Sequence, residues 1–587
     1  MTKWFVSAKK ADFEGIGKKF SISPVLARII RNRDLIEETE IQKYLTGGKK
    51  DLYDPALLFD MKKAADLLKD KITKGAKIRI IGDYDVDGIC STYILKRGLE
   101  LCGAKVDTII PHRIKDGYGI NIQLIKEAVE EEVDTIITCD NGIAAREEIS
   151  YAKRMGITCI ITDHHEVPYE EKEEKKVFLL PPADAIINPK REECEYPFKK
   201  ICGAVVAWKL ISFLQRDYMV CEEEKRILLE LAGFATICDV MELRDENRII
   251  VKEALKSMAY TRNHGLSALM KVYEISPANL SSYHIGFVLG PCFNATGRLD
   301  TAIRALELLD CTSEREAIFI ASELKQLNES RKELTEEGIK NAIEIIEKNQ
   351  YGKNKVIVVY LPDCHESLAG IIAGRIREKY TRPTFVLTKA EEGVKGSGRS
   401  VDAYHMYEEM VRVKELFTKF GGHKLAAGLS LEEENVSVFR DKMNENCNLS
   451  EEDFQEKVLI DVPLPLSYVT NAFLEELKLL EPFGMGNQKP IFAQKDILFL
   501  SMRIMGKNKD MAKFTVEDTE GKRFSMILFR RLDDFLHRIE EKYGYLEKDK
   551  LCVGEKTNII RMNIIYYPSI NIFMGREEIQ FTIQDWS

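Results

Sequence analysis

The sequence predicts an α/β fold: a parallel-sheet domain joined by a long helix to a second α/β domain, followed by a small C-terminal β-barrel. Three patterns predict it. Short apolar runs alternate with helical periodicity in the first third of the chain, helical spacing then continues almost unbroken over 313–349, and the tail from about 455 offers only short β runs. Strands that alternate with helices are typical of a parallel sheet built from βαβ units.

The size and the charge of the chain limit the class of protein. Its 587 residues are 45% hydrophobic and 31% charged, which is the balance of a globular protein with several domains. The net charge of −9 excludes a uniformly basic coat for nucleic acid, so any polyanionic partner must meet a local basic groove.

The cysteines and the N-terminus indicate a cytoplasmic protein. The 13 cysteines include no CxxC pair, so the sequence suggests neither a zinc ribbon nor a disulfide framework. The first ten residues, MTKWFVSAKK, lack the apolar region of a signal peptide, and no stretch approaches the ~18–20 apolar residues of a membrane helix. We therefore expect no membrane partner.

The order of the elements divides the chain into five regions. The α/β domain begins with a helix at 61–74, continues with strands at 77–81, 105–110, 134–139 and 157–162, and resumes helices from 203 onward. A helix as long as 313–349 usually separates domains. The strand runs of the tail, parted by Gly, Asn and Asp, favour an OB-like barrel. The regions are an N-terminal helical segment 1–60, a catalytic domain 61–275, a connecting region 276–350, a second α/β domain 351–450 and a barrel 455–587.

Three of the predicted strands end in residues that bind metals. The first is followed by Asp83, Asp85 and Asp87, another by Asp140, and the next by Asp163-His164-His165. The carboxyl ends of parallel strands share one edge of the sheet, so these side chains should face one crevice. Carboxylates with one or two histidines suit Mn²⁺ or Mg²⁺, and two ions about 3.5–4 Å apart would clamp a phosphoryl displacement.

Each of these segments taken alone has a simpler interpretation. The Asp-x-Asp-x-Asp-Gly run is similar to a calcium loop, although it lacks the closing acidic residue. Asp140-Asn-Gly could be a turn, and His164-His165 could be a capping pair. The three strand ends together favour a metal site.

The motifs resemble those of a known family. GDYDVDG, CDNG and Asp163-His-His lie in this order, each after a strand, and further motifs follow along the chain: PHRIKDGYG at 111–119, CGA at 202–204, ATICDV at 235–240, NATGR at 294–298, SGRS at 397–400, GGHKLAAG at 421–428 and EPFGMGN at 481–487. This set resembles the DHH phosphoesterase superfamily and, within it, the RecJ family of single-strand-specific exonucleases. The resemblance implies DHH, DHHA1 and OB domains.

The resemblance also implies roles for individual residues. The implied metal ligands are Asp83, Asp85, Asp140, His164 and Asp239. An Asp within the apolar helical run 227–240 is expensive to bury unless it is paired or bound to a metal. His165 would be a ligand or a catalytic group near the scissile phosphate, and Asp87 either a catalytic group or an N-terminal helix cap.

Basic residues in glycine-rich segments are candidates for binding phosphate. Arg298 and Arg399 each follow a glycine, which lets the backbone approach a phosphate while the guanidinium binds it. The full set, which includes the expected site of a 5′-terminal phosphate, is Arg113, Arg298, Ser397, Arg399 and His423. Taken singly, each could be a solvated surface residue. Asn328 and Arg331 could join them or belong to an exposed helix face.

The implied activity is a metal-dependent 5′→3′ exonuclease that hydrolyses single-stranded DNA to 5′-mononucleotides with two Mn²⁺ or Mg²⁺ ions, in DNA repair and recombination. A helicase and a single-strand binding protein are the implied protein partners, and no oligomeric state is predicted. Two alternatives stay open: a DHH phosphodiesterase for short oligonucleotides or cyclic dinucleotides, and an inactive DNA-binding scaffold.

Overall fold

The fold is that of a computed structural model, which describes residues 2–587 except 114, 173–174, 507–508 and 574–575. These residues form two compact units. Unit 1 comprises Tyr53–Met241 and Glu253–Glu456, and unit 2 comprises Thr2–Leu52, Glu242–Lys252 and Lys457–Ser587.

The strands and helices of the described residues are numbered along the chain. The strands are β1 Lys3–Val6, β2 Lys77–Ile81, β3 Lys105–Ile109, β4 Thr135–Cys139, β5 Thr158–Thr162, β6 Tyr169–Lys172, β7 Lys175–Phe178, β8 Ala185–Ile187, β9 Ile357–Tyr360, β10 Thr384–Lys389, β11 Val394–Arg399, β12 Phe417–Gly422, β13 Ala426–Leu431, β14 Lys457–Ile460, β15 Val462–Pro463, β16 Phe492–Met505, β17 Met511–Glu517, β18 Arg523–Leu528, β19 Arg561–Phe573 and β20 Arg576–Trp586. The helices are α1 Phe13–Phe20, α2 Pro24–Asn32, α3 Glu38–Thr46, α4 Met61–Lys74, α5 Val86–Glu100, α6 Ile122–Glu130, α7 Arg146–Arg154, α8 Gly203–Leu214, α9 Glu222–Cys238, α10 Asp245–Met258, α11 His264–Val272, α12 Ser282–His284, α13 Gly290–Leu299, α14 Ile303–Asp310, α15 Glu314–Lys348, α16 Ala369–Tyr380, α17 Met406–Val411, α18 Asn435–Glu445, α19 Asn471–Leu477, α20 Leu532–Tyr543 and α21 Tyr545–Cys552.

The first sheet of unit 1 is parallel throughout, with the strand order β3-β2-β4-β5-β8. Its central strand β4, with the sequence TIITC, is buried along its whole length, as expected for a strand covered by helices on both faces. The register pairs Ile81 with Thr138 and Cys139 with Thr162, so β2, β4 and β5 end side by side. The segments that follow these strands therefore start from one edge of the sheet.

Two helices reach the same edge from one face of the sheet. Helices α8 and α9 pack against α5, which itself begins directly after β2. The first residue of α8, Gly203, and the residue that caps the C-terminus of α9, Asp239, both lie at this edge beside Asp87 and His164.

The second sheet of unit 1 has the order β12-β13-β11-β10-β9, and only the β9–β10 pair is parallel. Strands β9 and β10 lie within the second α/β domain that the sequence predicts at 351–450. The sequence did not predict β11, β12 and β13, because their glycine-containing sequences have few of the β-branched residues typical of strands. Helix α15 packs against α11 and α13 at one end and against α16 at the other, so it connects the two α/β regions as expected.

Unit 2 contains a closed barrel in which β16, β17, β18, β20 and β19 pair in turn and β19 pairs back with β16. The predicted helical segment at the N-terminus is part of this unit, since side chains of α2 and α3 share one apolar core with the barrel strands. Helices α20 and α21 lie between β18 and β19, where the sequence indicated only short β runs. Within the described residues, no helix is long and apolar enough to cross a membrane.

A buried arginine ties three segments of unit 2 together. The guanidinium of Arg248 donates to the carbonyls of Tyr44 (3.0 Å), Leu480 (2.9 Å) and Leu479 (2.8 Å), and it lies 3.9 Å from the centre of the Tyr44 ring. Burial lowers the pKa of Arg248. A side chain that satisfies three carbonyls from two distant segments should stabilise the packing of α3 against the segment that follows α19.

We expect Arg248→Met to lower the free energy of unfolding of unit 2 by about 1–3 kcal/mol, because it removes the hydrogen bonds that Arg248 donates to the carbonyls of Tyr44 and Leu479. Hydrogen exchange of the full chain should then speed up in 38–46 and 471–482. Arg523→Met, the same substitution at an exposed position of unit 2, is the matched control. Equal protection in the two variants would contradict this role for Arg248.

Candidate metal centre

The segment after β2 places two carboxylates at the edge of the sheet. Asp83 is buried at the end of the strand, and Asp85 caps α5 by accepting from the backbone N–H groups of Asp87 (2.9 Å) and Gly88 (3.1 Å). Residue 88 must be glycine, because a Cβ there would lie 2.5 Å from the carbonyl oxygen of Asp83. The turn is therefore tight enough to direct both carboxylates to one side.

Asp140 follows β4 in the left-handed backbone conformation, with φ of 59°. Such conformations are uncommon for residues other than glycine and are concentrated at functional sites. The next residue fixes the turn, since the Asn141 amide donates to the carbonyls of Ile81, Gly82 and Cys139 at 2.9–3.1 Å. One amide thus holds the ends of β2 and β4 together, and Asp140 lies between them.

The Asp163-His164-His165 segment after β5 is organised by its aspartate. One oxygen of Asp163 accepts from the backbone N–H of His164 (2.7 Å) and of His165 (3.1 Å) and lies 2.8 Å from the His165 ring Nδ1. The other oxygen accepts from the backbone N–H of Ile143 at 2.9 Å. Asp163 therefore fixes the backbone of both histidines and orients the His165 ring, a role that the sequence did not predict.

Asp87 and Asp239 reach the site from helices. The two oxygens of Asp87 accept from the backbone N–H groups of Gly203 (2.6 Å) and Ala204 (2.8 Å), so Asp87 caps α8 at its N-terminus. Asp239 caps the C-terminus of α9, and Val240 after it has φ of 55°, a strained conformation for a β-branched residue. This sharp end of the helix directs Asp239 towards the strand ends.

The structure brings all of these side chains together. Nε2 of His164 lies 3.1 Å from Oδ1 of Asp140, 3.6 Å from Oδ2 of Asp87 and 3.8 Å from Oδ2 of Asp239. Ligand atoms within 4.8 Å of one another form three groups that could hold a metal ion: Asp83 with Asp85 and Asp140, Asp140 with His164 and His165, and Asp87 with His164 and Asp239. Asp140 belongs to two of the three groups, so it is placed to bridge two ions.

The electrostatics of this cluster fit a divalent cation. Burial, followed by the repulsion of Asp85, raises the pKa of Asp83 to about 8, and burial with the repulsion of Asp87 and Asp85 raises that of Asp239 to about 8. Oδ1 of Asp83 and Oδ1 of Asp140 are buried and accept no hydrogen bond from the described residues, although His164 lies 3.1 Å from the latter. Such oxygen-rich clusters suit Mn²⁺ or Mg²⁺.

His165 differs from His164 in its surroundings. Burial alone would lower the pKa of His165, but its contact with Asp163 outweighs this and raises it, whereas burial lowers the pKa of His164. The Tyr118 hydroxyl donates to the carbonyl of Asp140 at 2.7 Å and lies 3.3 Å from Nδ1 of His165. Tyr118, His165 and His423 line one cleft of about 590 Å³.

A cluster of arginines adjoins the carboxylates. Arg113 lies 4.9 Å from the centre of the Tyr84 ring, and its charge acts on Asp83. Burial, then the repulsion of Arg113, Arg331 and Arg399, lowers the pKa of Arg298 to about 10. Cationic groups that repel each other in a partly buried site favour an anion between them.

The remaining candidates have different surroundings. Arg298 donates to the carbonyl of Ser367 at 2.6 Å. A Cβ at Gly370 would contact both Arg399 and the side chain of Ser397, so these two residues share one surface beside α16. The exposed-face alternative for Asn328 is wrong, since its side chain is fully buried and accepts a hydrogen bond from Arg331.

Three family models match the chain: the DHH family N-terminal domain over residues 77–237, the DHHA1 domain over 353–449 and the RecJ OB domain over 460–585. A curated relative, the single-stranded-DNA-specific exonuclease RecJ of Bacillus subtilis (strain 168), is 34% identical over 99% of this chain and 70% of its own. The chain belongs to the RecJ family.

Other RecJ proteins agree with this assignment. The single-stranded-DNA-specific exonuclease RecJ of Haemophilus influenzae is 32% identical over 86% of this chain and 89% of its own. The crystal structure of RecJ from Thermus thermophilus in complex with Mn²⁺ superposes with a TM-score of 0.80 at 25% identity, covering 100% of this chain and 79% of that one. The resemblance to RecJ and the predicted fold class are confirmed.

The raised carboxyl pKa values predict that metal binding releases protons. Burial and the neighbouring carboxylates raise the pKa values of Asp83 and Asp239 to about 8, so they favour the protonated forms of these groups in the metal-free chain. Because an ion binds the deprotonated carboxylates, the affinity for Mn²⁺ should rise as the pH increases from 6 to 8. Calorimetric titration with Mn²⁺ in two buffers of different ionisation enthalpy measures the released protons. An affinity independent of pH over this range would contradict the prediction.

Proposed function

We propose that this member of the RecJ family is a metal-dependent 5′→3′ exonuclease that hydrolyses single-stranded DNA to 5′-mononucleotides. The observation that carries the proposal is the convergence of five aspartates and two histidines at one sheet edge, directly beside a cluster of arginines. The named activity of its relatives, single-stranded-DNA-specific exonuclease, supports it.

The metal-binding groups suggest a division of roles. Asp83, Asp85 and Asp140 would hold one ion. His164, whose Nε2 lies 3.1 Å from Asp140 and 3.8 Å from Asp239, would hold the other together with these two carboxylates. Asp87 would orient the site, because both of its oxygens are already bound to the N-terminus of α8. When bound, the two ions supply Lewis acidity towards the scissile phosphate and lower the pKa of the attacking water.

The other residues of the site would position the strand and move a proton. Arg113, Arg298 and Arg399, together with Ser397, would bind the 5′-terminal phosphate. As the new bond to phosphorus forms and the bond to the 3′-oxygen breaks, His165 would donate a proton to that oxygen. Its contact with Asp163 favours the protonated ring that this step requires. A terminal-phosphate site next to the carboxylates would limit the product to one nucleotide.

The cellular setting is also a proposal. All 13 cysteines are free thiols, which is consistent with the reducing cytoplasm. An enzyme limited to single strands needs strand separation, so a helicase and a single-strand binding protein would act with it. The C-terminal barrel would bind the incoming strand by stacking and charge.

We expect Asp140→Ala to lower the turnover of a 5′-phosphorylated single strand by at least about a thousandfold, since the bridging carboxylate is lost. Release of mononucleotides in Mn²⁺ measures it. Asp66→Ala, on the exposed face of α4, is the matched control. If Asp140→Ala degraded the strand at the wild-type rate, the metal assignment would be wrong. In a separate assay, strands blocked at the 5′ or the 3′ end show from which end the wild-type chain degrades them.

The arginine cluster predicts a preference for a 5′-phosphate. Arg399→Ala should raise KM for a 5′-phosphorylated strand by about ten- to a hundredfold, because a charge-assisted hydrogen bond is lost, and should change KM for a 5′-hydroxyl strand much less. Arg412→Ala, an exposed arginine in the same α/β region, should change neither. Equal effects on the two strands would show that Arg399 does not bind the terminal phosphate.

A further inference from the structure

Two aromatic side chains form an exposed flat surface that the proposed mechanism does not use. The rings of Tyr283 and Phe287 are stacked, with centroids 5.3 Å apart and planes inclined by 27°. Tyr283 is 61% exposed and Phe287 is 70% exposed. Apolar rings of this size are usually buried, so a stacked pair in solvent indicates a binding surface.

The helical segment that carries this pair packs against the helix that ends at Asp239. The segment is continuous and is formed by α12, a π-helical stretch Ile285–Leu289 and α13. A Cβ at Gly286 would lie 3.3 Å from Cγ2 of Ile237, and one at Gly290 would lie 2.4 Å from Sγ of Cys238. The segment therefore packs against the last turn of α9, which ends at Asp239. π-helical insertions are frequent at functional sites.

The same segment carries Arg298 at its other end. Arg298 follows Phe287 by eleven positions, which corresponds to about 16 Å along a helix. If Arg298 binds the 5′-terminal phosphate, a strand that passes the carboxylates brings its following nucleotides towards Tyr283 and Phe287. Val240, next to Asp239, is also exposed and apolar.

We propose that Tyr283 and Phe287 form a stacking platform for bases on the 3′ side of the scissile phosphate. This inference rests on the proposed exonuclease function, and it assigns the pair a role in holding the strand. Bases are the occupant that fits, because every base offers a flat π face to an aromatic ring and such stacking does not depend on sequence. The platform would hold the strand between successive cleavages.

The test uses 5′-phosphorylated single strands of 20 nucleotides with one 2-aminopurine, moved one position at a time from the 5′ end. Stacking quenches this fluorophore, and binding is measured in EDTA so that no cleavage occurs. We expect strong quenching at one or two internal positions with the wild-type chain. Phe287→Ala and Tyr283→Ala should remove it, whereas Phe287→Tyr and Tyr283→Phe should retain it.

Kinetics with Mn²⁺ give the second readout. Phe287→Ala should raise KM for the 20-nucleotide strand by roughly five- to a hundredfold, the range expected for losing one stacked base, and should leave kcat unchanged. Hydrolysis of a 5′-phosphorylated dinucleotide, which places a single base on the 3′ side of the scissile phosphate, should be affected less than that of the 20-nucleotide strand. Phe319→Ala removes a ring of similar exposure (60%) on α15 and is the matched control.

The outcomes separate the platform from the proposed function. Quenching that persists in Phe287→Ala and Tyr283→Ala, or an equal rise of KM in Phe319→Ala, would overturn the platform even if the wild-type chain degrades the strand normally. If the pair served only to bind a protein, the alanine variants would quench 2-aminopurine as strongly as the wild-type chain. That result would also overturn the platform. Quenching that depends on both rings in a wild-type chain without nuclease activity would support the platform and overturn the exonuclease.

Discussion

Five aspartate carboxylates share one largely buried pocket, and their mutual repulsion is the constraint on which the architecture of the catalytic region depends. Burial and neighbouring carboxylates raise the pKa values of Asp83, Asp85, Asp140 and Asp239. The fold offsets part of this repulsion with backbone N–H groups: Asp85 binds the first turn of α5, and Asp87 binds the first turn of α8. Divalent cations would supply the rest of the compensation.

The sequence predicted the first sheet and most of its site because both depend on local patterns. Buried strands such as β4 are continuous apolar runs, and metal-binding residues follow three of them directly. Asp239 lies at a helix end almost eighty residues after the last of these strands, and only the resemblance to a family suggested it. The role of Asp163 depends on contacts with Ile143 and His165, which no spacing reveals.

The elements that the sequence did not predict depend on tertiary contacts. The glycine-containing strands β11, β12 and β13 take their conformation from pairing with neighbouring strands, since glycine has little intrinsic preference for a strand. The N-terminal helices look like a separate segment in the sequence, yet their apolar faces are buried in the core of the barrel unit. Burial of this kind joins residues more than four hundred positions apart.

Four arginines of this acidic chain lie beside the carboxylates, where they could bind an anion. Arg298 is repelled by Arg113, Arg331 and Arg399, and burial lowers the pKa values of Arg298, Arg331 and Arg399. The carboxylates and the arginines thus form two adjacent clusters of opposite charge in unit 1. A carboxylate cluster stabilises cations and an arginine cluster stabilises phosphate, so their adjacency suits a phosphodiester whose terminal phosphate and scissile phosphate bind side by side.

Anomalous scattering from crystals of the chain grown with Mn²⁺ tests the central claim most directly. The account predicts two peaks about 3.5–4 Å apart, one bounded by Asp83, Asp85 and Asp140 and the other by Asp140, His164 and Asp239. Peaks outside this pocket, or Mn²⁺ bound by none of these side chains, would contradict it.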